Sequence, residues 1–120
     1  MARMRSLLIV DDHGAFRAWA HEVLAQEGFR VLGEAADGAS AIEAVDALDP
    51  DVVLLDIQLP DISGFEVAER ISDRTTVVLT SSRSAADYGQ RLRRSPAAGF
   101  VPKANLTGAA VEAIVLGSTR

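Results

Sequence analysis

Short apolar runs alternate with segments of helical periodicity along the whole chain. Residues 7–10 (LLIV) and 52–55 (VVLL) are wholly apolar, and each run ends at an acidic residue. Such runs are typical of strands that are buried on both faces, as in a parallel sheet covered by helices. Three other segments have strand character, so strands are predicted over residues 6–11, 30–35, 51–56, 75–80 and 99–102.

The segments between these strands show the apolar spacing of amphipathic helices. Helices are predicted over residues 14–27, 39–48 and 63–73 and after Thr107. The apolar stripe of the first helix consists of Phe16, Trp19, Ala20, Val23 and Leu24. Regular alternation of five strands with helices predicts a doubly wound α/β fold, with helices on both faces of the sheet.

Several predicted helix ends carry residues that suit capping positions. Gly28 follows the first helix, where a residue with positive φ is favoured. Ser63 and Glu66 have the spacing of a capping box, and Thr107 is the predicted N-cap of the last helix.

Residues 82–94 depart from this regular pattern. Only Tyr88 and Leu92 mark an apolar side, and Gly89 lowers the helix propensity at the centre. We therefore expect a marginal helix. Weakly packed elements change conformation at a low cost in free energy, so this segment is a candidate for conformational switching.

Acidic residues stand where the first and third strands end. Asp11 and Asp12 follow the first apolar run, and Asp56 follows the second. Ligands of open α/β sheets bind outside the carboxyl ends of the strands, so these carboxylates meet if the two strands are neighbours. Close like charges are costly unless a cation joins them, and oxygen ligands suit Mg²⁺. The pattern predicts a magnesium site beside a nucleophilic or metal-binding aspartate.

Composition narrows the class of protein. A chain of 120 residues is long enough to bury a core and is expected to form one domain over residues 1–120. The net charge of −5 argues against nucleic-acid binding by this chain, and the absence of cysteine excludes disulfides and thiolate metal sites. Neither a membrane span nor a secretory signal is evident, so a cytoplasmic location without a membrane partner is expected.

The side chains at the strand ends resemble those of a known family. They are Asp11 and Asp12 after the first strand, Asp56 after the third, Thr80 after the fourth and Lys103 after the fifth. Together with residues 53–67 (VLLDIQLPDISGFEV), they resemble the receiver domain of bacterial two-component response regulators and its phosphorylation-site signature. The resemblance extends over residues 6–115.

The resemblance also carries expectations about architecture and partners. It implies a flavodoxin-like sheet of strand order 2-1-3-4-5, whose edge position suits Pro102 because this residue has no N–H to donate. Residues 10–13 (VDDH) and 99–103 (GFVPK) are most similar to the LuxR-type subclass, whose members usually continue into a helix-turn-helix DNA-binding domain. A sensor histidine kinase is the implied partner, with homodimer formation on phosphorylation and a DNA-binding output domain in a longer protein.

The resemblance implies a phosphotransfer role for the acidic residues. Asp56 is the expected phosphoacceptor, whose carboxylate attacks the phosphorus of a kinase phosphohistidine and forms an acyl phosphate. Asp12 and Asp56 are expected to coordinate Mg²⁺. Asp11 would act directly or through water, and the backbone carbonyl of Gln58 would complete the set.

Three further residues are implied to respond to the phosphoryl group. Lys103 would place its ammonium against the phosphoryl oxygens, and Thr80 would hydrogen-bond to them. Phe100 occupies the aromatic switch position, where the ring turns inward when the threonine moves. Phenylalanine there removes the hydroxyl of the alternative tyrosine, Ser81 adds one where alanine is usual, and Ala104 replaces the cis-proline of many receivers.

Three other functions are weighed against the switch. A flavodoxin-type cofactor module shares the architecture, but Asp11 and Asp12 would repel a phosphate after the first strand. A Mg²⁺-dependent phosphohydrolase lacks its acid/base carboxylate, because Gln58 stands in that place. A phosphorylation-independent pseudo-receiver would bind partners alone. A receiver is not an enzyme in the ordinary sense, since it catalyses only its own phosphorylation and dephosphorylation.

Other polar and aromatic residues are assigned no function. His13, His21 and Trp19 belong to this group, because a histidine without a second ligand at metal spacing is weak evidence for a site. The arginines of the marginal segment are expected to form a solvated face or a partner-facing patch: Arg83, Arg91, Arg93 and Arg94.

Overall fold

The computed structural model describes residues 4–118, which fold around a five-stranded parallel sheet. The strands are β1 (Ser6–Val10), β2 (Arg30–Ala35), β3 (Val52–Asp56), β4 (Thr76–Ser81) and β5 (Gly99–Pro102). Their order in the sheet is β2-β1-β3-β4-β5. The predicted doubly wound sheet is confirmed, and no strand boundary differs from its prediction by more than one residue.

Within the described residues, six α-helices connect and flank the strands. They are α1 (Gly14–Gln26), α2 (Gly38–Leu48), α3 (Gly64–Ile71), α4 (Ala85–Tyr88), α5 (Gln90–Arg94) and α6 (Gly108–Ser118). A single 3₁₀ turn (Lys103–Asn105) follows β5. Within residues 4–118 no helix has the length and apolar character needed to cross a membrane.

Alternate residues of β1 serve two separate cores. Leu8 and Val10 pack in a cluster with residues of α2 and α3, whereas Leu7 and Ile9 pack in a cluster with residues of α1 and α6. Because helices cover both faces of the sheet, the strand needs no polar alternation. Burial of each of these side chains contributes roughly 1.5–3 kcal/mol, so the apolar run anchors the strand that leads into the acidic pair.

The register of the central strands aligns the predicted site residues. Val10 of β1 pairs with Leu55 of β3, so Asp11 and Asp56 each lie one step beyond this pair. Asp56 is in turn paired with Thr80 of β4. The strand ends therefore meet along one edge of the sheet, as the sequence predicted.

Three local predictions are confirmed at the ends of elements. Gly28 has a φ of 102°, in the left-handed region that favours glycine. The Oγ1 of Thr107 accepts a hydrogen bond from the N–H of Ala110 at 3.0 Å and so caps α6. Pro102 lies in the edge strand β5, where a residue without an N–H is tolerated because only one side of the strand is hydrogen-bonded to the sheet.

Two local predictions are wrong. The capping box at Ser63 and Glu66 does not form: Ser63 Oγ accepts from the N–H of Phe65 at 3.1 Å, while Glu66 pairs with Arg70 at 2.8 Å. The arginine one turn further along competes successfully for the glutamate. Trp19, a member of the predicted apolar stripe of α1, has an exposed fraction of 46%.

Residues 82–94 form two short helices, α4 and α5, instead of one. Gly89 separates them, with a φ of 54° that favours glycine. Neither helix contains a fully buried residue. Tyr88 and Leu92 are half-buried against the core, on the predicted apolar side. The prediction of a marginal element is confirmed, and the break lies at the glycine that weakened the pattern.

Candidate functional site

Three charged side chains meet at the carboxyl edge of the sheet. Asp11 is fully buried, and Asp56 is only 3% exposed. The Nζ of Lys103 lies 2.6 Å from Asp11 Oδ2 and 3.5 Å from Asp56 Oδ2. One ammonium therefore bridges two buried carboxylates, and the three groups leave an excess negative charge in the pocket.

This environment raises the pKa of Asp56 to about 6. Burial is the largest cause, and the negative charge of Asp11 adds to it. Lys103 and the backbone N–H of Gln58, which donates to Asp56 Oδ1 at 3.3 Å, act in the opposite direction. Ionised Asp56 is costly in the metal-free protein, so an added cation would stabilise it.

The raised pKa predicts that Asp56→Asn stabilises the metal-free protein at neutral pH. Between the ordinary pKa of 3.8 and about 6, the folded state keeps a proton that the unfolded state loses. The contribution of Asp56 to the free energy of unfolding therefore falls as the pH rises through this window, and the loss is complete above it. The uncharged amide of the variant would avoid this loss, and Lys103 would keep its nearer partner, Asp11.

Urea unfolding in the presence of a chelator measures this effect. Near pH 7.5 the variant should be more stable by on the order of 1–3 kcal/mol, while near pH 4 the two proteins should differ little. Equal stability at both pH values would show that the ionised carboxylate at this position carries no folding cost.

Asp12 and His13 add donors on the open side of the pocket. One donor atom from each of Asp11, Asp12, His13 and Asp56 lies within 4.8 Å of the others. Asp11 Oδ2 lies 2.6 Å from the ammonium of Lys103, which also faces Asp56. Three carboxylates outnumber the one ammonium, and oxygen donors suit a divalent cation, so this set of residues fits a divalent metal ion.

His13 is the member of this set to which the sequence assigned no function. Its Nδ1 lies 3.2 Å from Asp11 Oδ1 and 3.1 Å from Asp12 Oδ1. His21, by contrast, lies on α1 and pairs with Glu34 at 2.9 Å. The sequence feature that could have indicated a role for His13 is its position directly after Asp11 and Asp12.

The hydroxyl of Thr80 is committed to the neighbouring strand. Thr80 is fully buried, and its Oγ1 donates to the carbonyl oxygen of Val101 at 2.7 Å. Its own carbonyl oxygen accepts from the N–H of Ile57, the residue after Asp56, at 3.0 Å. A new acceptor on the aspartate would therefore compete with β5 for this hydroxyl.

A chain of aromatic rings extends from this edge to the marginal segment. Phe100 is half-buried and lies 6.2 Å from Tyr88 between ring centroids, and Tyr88 lies 5.7 Å from Phe65. The hydroxyls of Tyr88 and Ser81 are hydrogen-bonded at 2.7 Å. The sequence indicated that Phe100 lacks a hydroxyl and that Ser81 adds one. It did not reveal that Tyr88 contacts both, through its ring and its hydroxyl respectively.

Two residues of α1 support the site without having been predicted to do so. Lys103 Nζ lies 4.4 Å from the ring centroid of Phe16, a favourable cation–π distance. Arg17 Nη1 donates to the backbone oxygen of Asp11 at 2.7 Å. In the sequence Phe16 is an ordinary member of the apolar stripe of α1, so no local pattern singles it out.

The loop after β3 is fixed by close backbone packing. A Cβ atom on Gly64 would lie 2.7 Å from Cα of Ile57, so only glycine fits there. The carboxylate of Asp61 accepts from the N–H groups of Gly38 and Ala39 at 2.8 and 2.9 Å, and these bonds lower the pKa of Asp61. The loop that carries Gln58 is thereby tied to the start of α2.

Sequence comparisons place these features in a family. Residues 7–114 match the family described as response regulator receiver domain. A putative transcriptional regulator of Pseudomonas aeruginosa is 36% identical over 103 residues, which are 83% of this chain and 50% of the relative. The DNA-binding transcriptional activator EvgA of Escherichia coli K12 is 31% identical over 99 residues, or 80% and 48% of the two chains. The chain spans about half the length of these curated relatives.

Solved structures give the same assignment. The receiver domain of the putative response regulator NarL from Mycobacterium tuberculosis has a TM-score of 0.80 and 32% identity, covering 94% of this chain and 98% of that one. A LuxR-family response regulator from Aurantimonas sp. SI85-9A1 has a TM-score of 0.83 and 25% identity, covering 96% and 87%. The family match, the sheet order and these neighbours agree: the chain belongs to the receiver domains of two-component response regulators, and its structural neighbours include the LuxR family.

Proposed function

We propose that this receiver is a phosphorylation-activated switch, which accepts a phosphoryl group on Asp56 from the phosphohistidine of a sensor histidine kinase. The observation that supports the proposal most directly is the environment of the Asp56 carboxylate. It lies buried at the end of β3, beside Asp11 and 3.5 Å from the ammonium of Lys103. A nucleophile and a cation for phosphoryl oxygens are thus held at one point.

The transfer needs Asp56 in its ionised form. At neutral pH, above its pKa of about 6, the carboxylate predominates. One carboxylate oxygen attacks phosphorus and forms the new P–O bond, while the P–N bond to the kinase imidazole breaks and its electron pair stays on nitrogen. Lys103 balances charge on the phosphoryl oxygens. Because it already contacts Asp56 Oδ2, little reorganisation is required.

The carboxylates would hold Mg²⁺ during this reaction. The ligands would be Asp11, Asp12 and Asp56 with the backbone carbonyl of Gln58. These residues would thereby gain a positive charge that offsets the negative charge of approaching phosphoryl oxygens. Asp11 would contribute a fully buried carboxylate, and Asp12, with 35% of its side chain exposed, lies towards the open side.

The signal would leave the pocket through Thr80. A phosphoryl oxygen offers its hydroxyl a charged acceptor in place of the carbonyl of Val101, and charge-assisted hydrogen bonds are the stronger kind. The ring of Phe100 would then turn inward and alter the surface formed by α4, α5, β5 and α6. We place homodimer formation or partner binding on this surface.

Incubation with acetyl phosphate and Mg²⁺ tests the function directly. Intact mass spectrometry should show the addition of one acid-stable, base-labile phosphoryl group, and tandem mass spectrometry should locate it on Asp56. A chelator should abolish the addition. Absence of uptake by metal-loaded, folded protein would contradict the switch and favour a pseudo-receiver, whereas sustained turnover of phosphate esters would favour a phosphohydrolase.

The role of this chain in a whole regulator is part of the same proposal. The relatives named above are transcriptional regulators, one of them DNA-binding, and the chain matches about half of each. We propose that residues 1–120 form one receiver domain that acts in the cytoplasm. A DNA-binding output domain in a longer protein would respond to the phosphorylation state of the receiver. The receiver itself would bind no nucleic acid and no membrane.

A further inference from the structure

The candidate metal pocket contains a nitrogen donor besides its carboxylates. His13 Nδ1 faces both members of the acidic pair, 3.2 Å from Asp11 Oδ1 and 3.1 Å from Asp12 Oδ1. It belongs with Asp56 to the group whose donor atoms lie within 4.8 Å of one another. A cation seated among these oxygens would therefore also lie close to an imidazole nitrogen.

The backbone holds His13 at this position. Its N–H donates to Asp11 Oδ1 at 2.8 Å, which fixes the turn between β1 and α1. The side chain is 70% exposed, so the ring can adjust its orientation without repacking the core. The ammonium of Lys103 lies 2.6 Å from Asp11 Oδ2 and 3.5 Å from Asp56 Oδ2, so one positive charge faces two buried carboxylates and the pocket keeps a negative charge that a cation would offset.

We propose that His13 is a metal ligand, and that the pocket consequently favours first-row transition-metal dications over Mg²⁺. Oxygen-only sites suit hard ions such as Mg²⁺, whereas imidazole nitrogen suits zinc, nickel, copper and iron. The proposed site combines three carboxylates with one imidazole. Its affinity for zinc, nickel, copper and iron ions is therefore higher than that of a site with carboxylate ligands alone. This inference rests on the metal pocket of the proposed function and adds a ligand and a selectivity to it.

Calorimetric titration with Zn²⁺ and with Mg²⁺ tests the proposal. The protein should carry no histidine tag, because a tag would supply competing imidazoles, and a pH of about 8 keeps free imidazole neutral. His13→Ala should weaken Zn²⁺ binding by roughly 10- to 100-fold and change Mg²⁺ binding by less than about twofold. The chain has two histidines, so His21→Ala is the matched control and should change neither affinity.

A spectroscopic measurement separates ligation from an indirect effect of the substitution. In ¹H–¹⁵N correlation spectra of the histidine rings, Zn²⁺ should shift a ring nitrogen of His13 and leave His21 in place, while Mg²⁺ should shift neither comparably. Unchanged Zn²⁺ affinity in His13→Ala, with Mg²⁺ binding and phosphorylation intact, would overturn only this inference. If the wild type bound neither ion, the metal pocket of the proposed function would fail as well.

Discussion

The Asp56→Asn variant should take up no phosphoryl group from acetyl phosphate, although its pocket keeps nearly the same shape. The amide has no anionic oxygen to attack phosphorus, so the loss should be complete within detection. The other groups that would receive the phosphoryl oxygens remain, since Lys103 keeps its 2.6 Å contact with Asp11. Intact mass spectrometry after incubation with Mg²⁺ measures the result.

The matched control is an aspartate outside the pocket. Asp73, whose side chain is 82% exposed, follows α3, and Asp73→Asn should be phosphorylated like the wild type. Circular dichroism would establish that both variants are folded. Base-labile modification persisting undiminished in folded Asp56→Asn would assign the phosphoryl group to another residue and overturn the proposed phosphoacceptor.

Much of the site could be predicted from sequence because parallel strands impose a common edge. Once the run at residues 7–10 is accepted as a central strand, Asp11 must emerge at the same edge as Asp56. The same reasoning brings Thr80 and Lys103 to this edge. The chemistry lies at the ends of regular elements, and hydrophobic patterning locates those ends to within a residue.

Contacts that depend on side-chain packing could not be predicted in this way. The hydrogen bond between Ser81 and Tyr88 requires the turn after β4 to fold back on itself, which no periodicity encodes. The capping box at Ser63 failed for a related reason. The spacing shows that the Glu66 side chain can reach the backbone N–H of Ser63. It does not show whether this hydrogen bond is more stable than the ion pair of Glu66 with Arg70.

The bond between Tyr88 and Ser81 gives the marginal segment a defined attachment to the sheet. Ser81 directly follows Thr80 in β4, so a backbone shift that brings the threonine hydroxyl towards a phosphoryl group would move the partner of Tyr88 as well. α4 and α5 have no fully buried residue to resist this movement. A bias of a few kcal/mol is enough to redistribute two such states, and one charge-assisted hydrogen bond supplies a large part of it.

Hydrogen exchange with and without beryllofluoride, a phosphoryl mimic, should therefore change most over residues 81–103. Thr80→Ala removes the hydroxyl that responds to the mimic and should blunt the change, whereas Thr80→Ser keeps the hydroxyl and should preserve it. Tyr88→Phe breaks only the bond to Ser81. It should raise exchange in α4 before activation and so reduce the difference that beryllofluoride makes.

The distribution of the exchange changes decides whether the signal takes this route. Binding of beryllofluoride must protect residues 57–64 in any case, because that loop borders the pocket and contacts Thr80 through Ile57. If protection stayed within this loop while residues 81–103 exchanged as before, the route through Thr80 and the aromatic rings would be wrong. If Thr80→Ala responded as fully as Thr80→Ser, the movement of α4 and α5 would have to start from Lys103 and β5 instead.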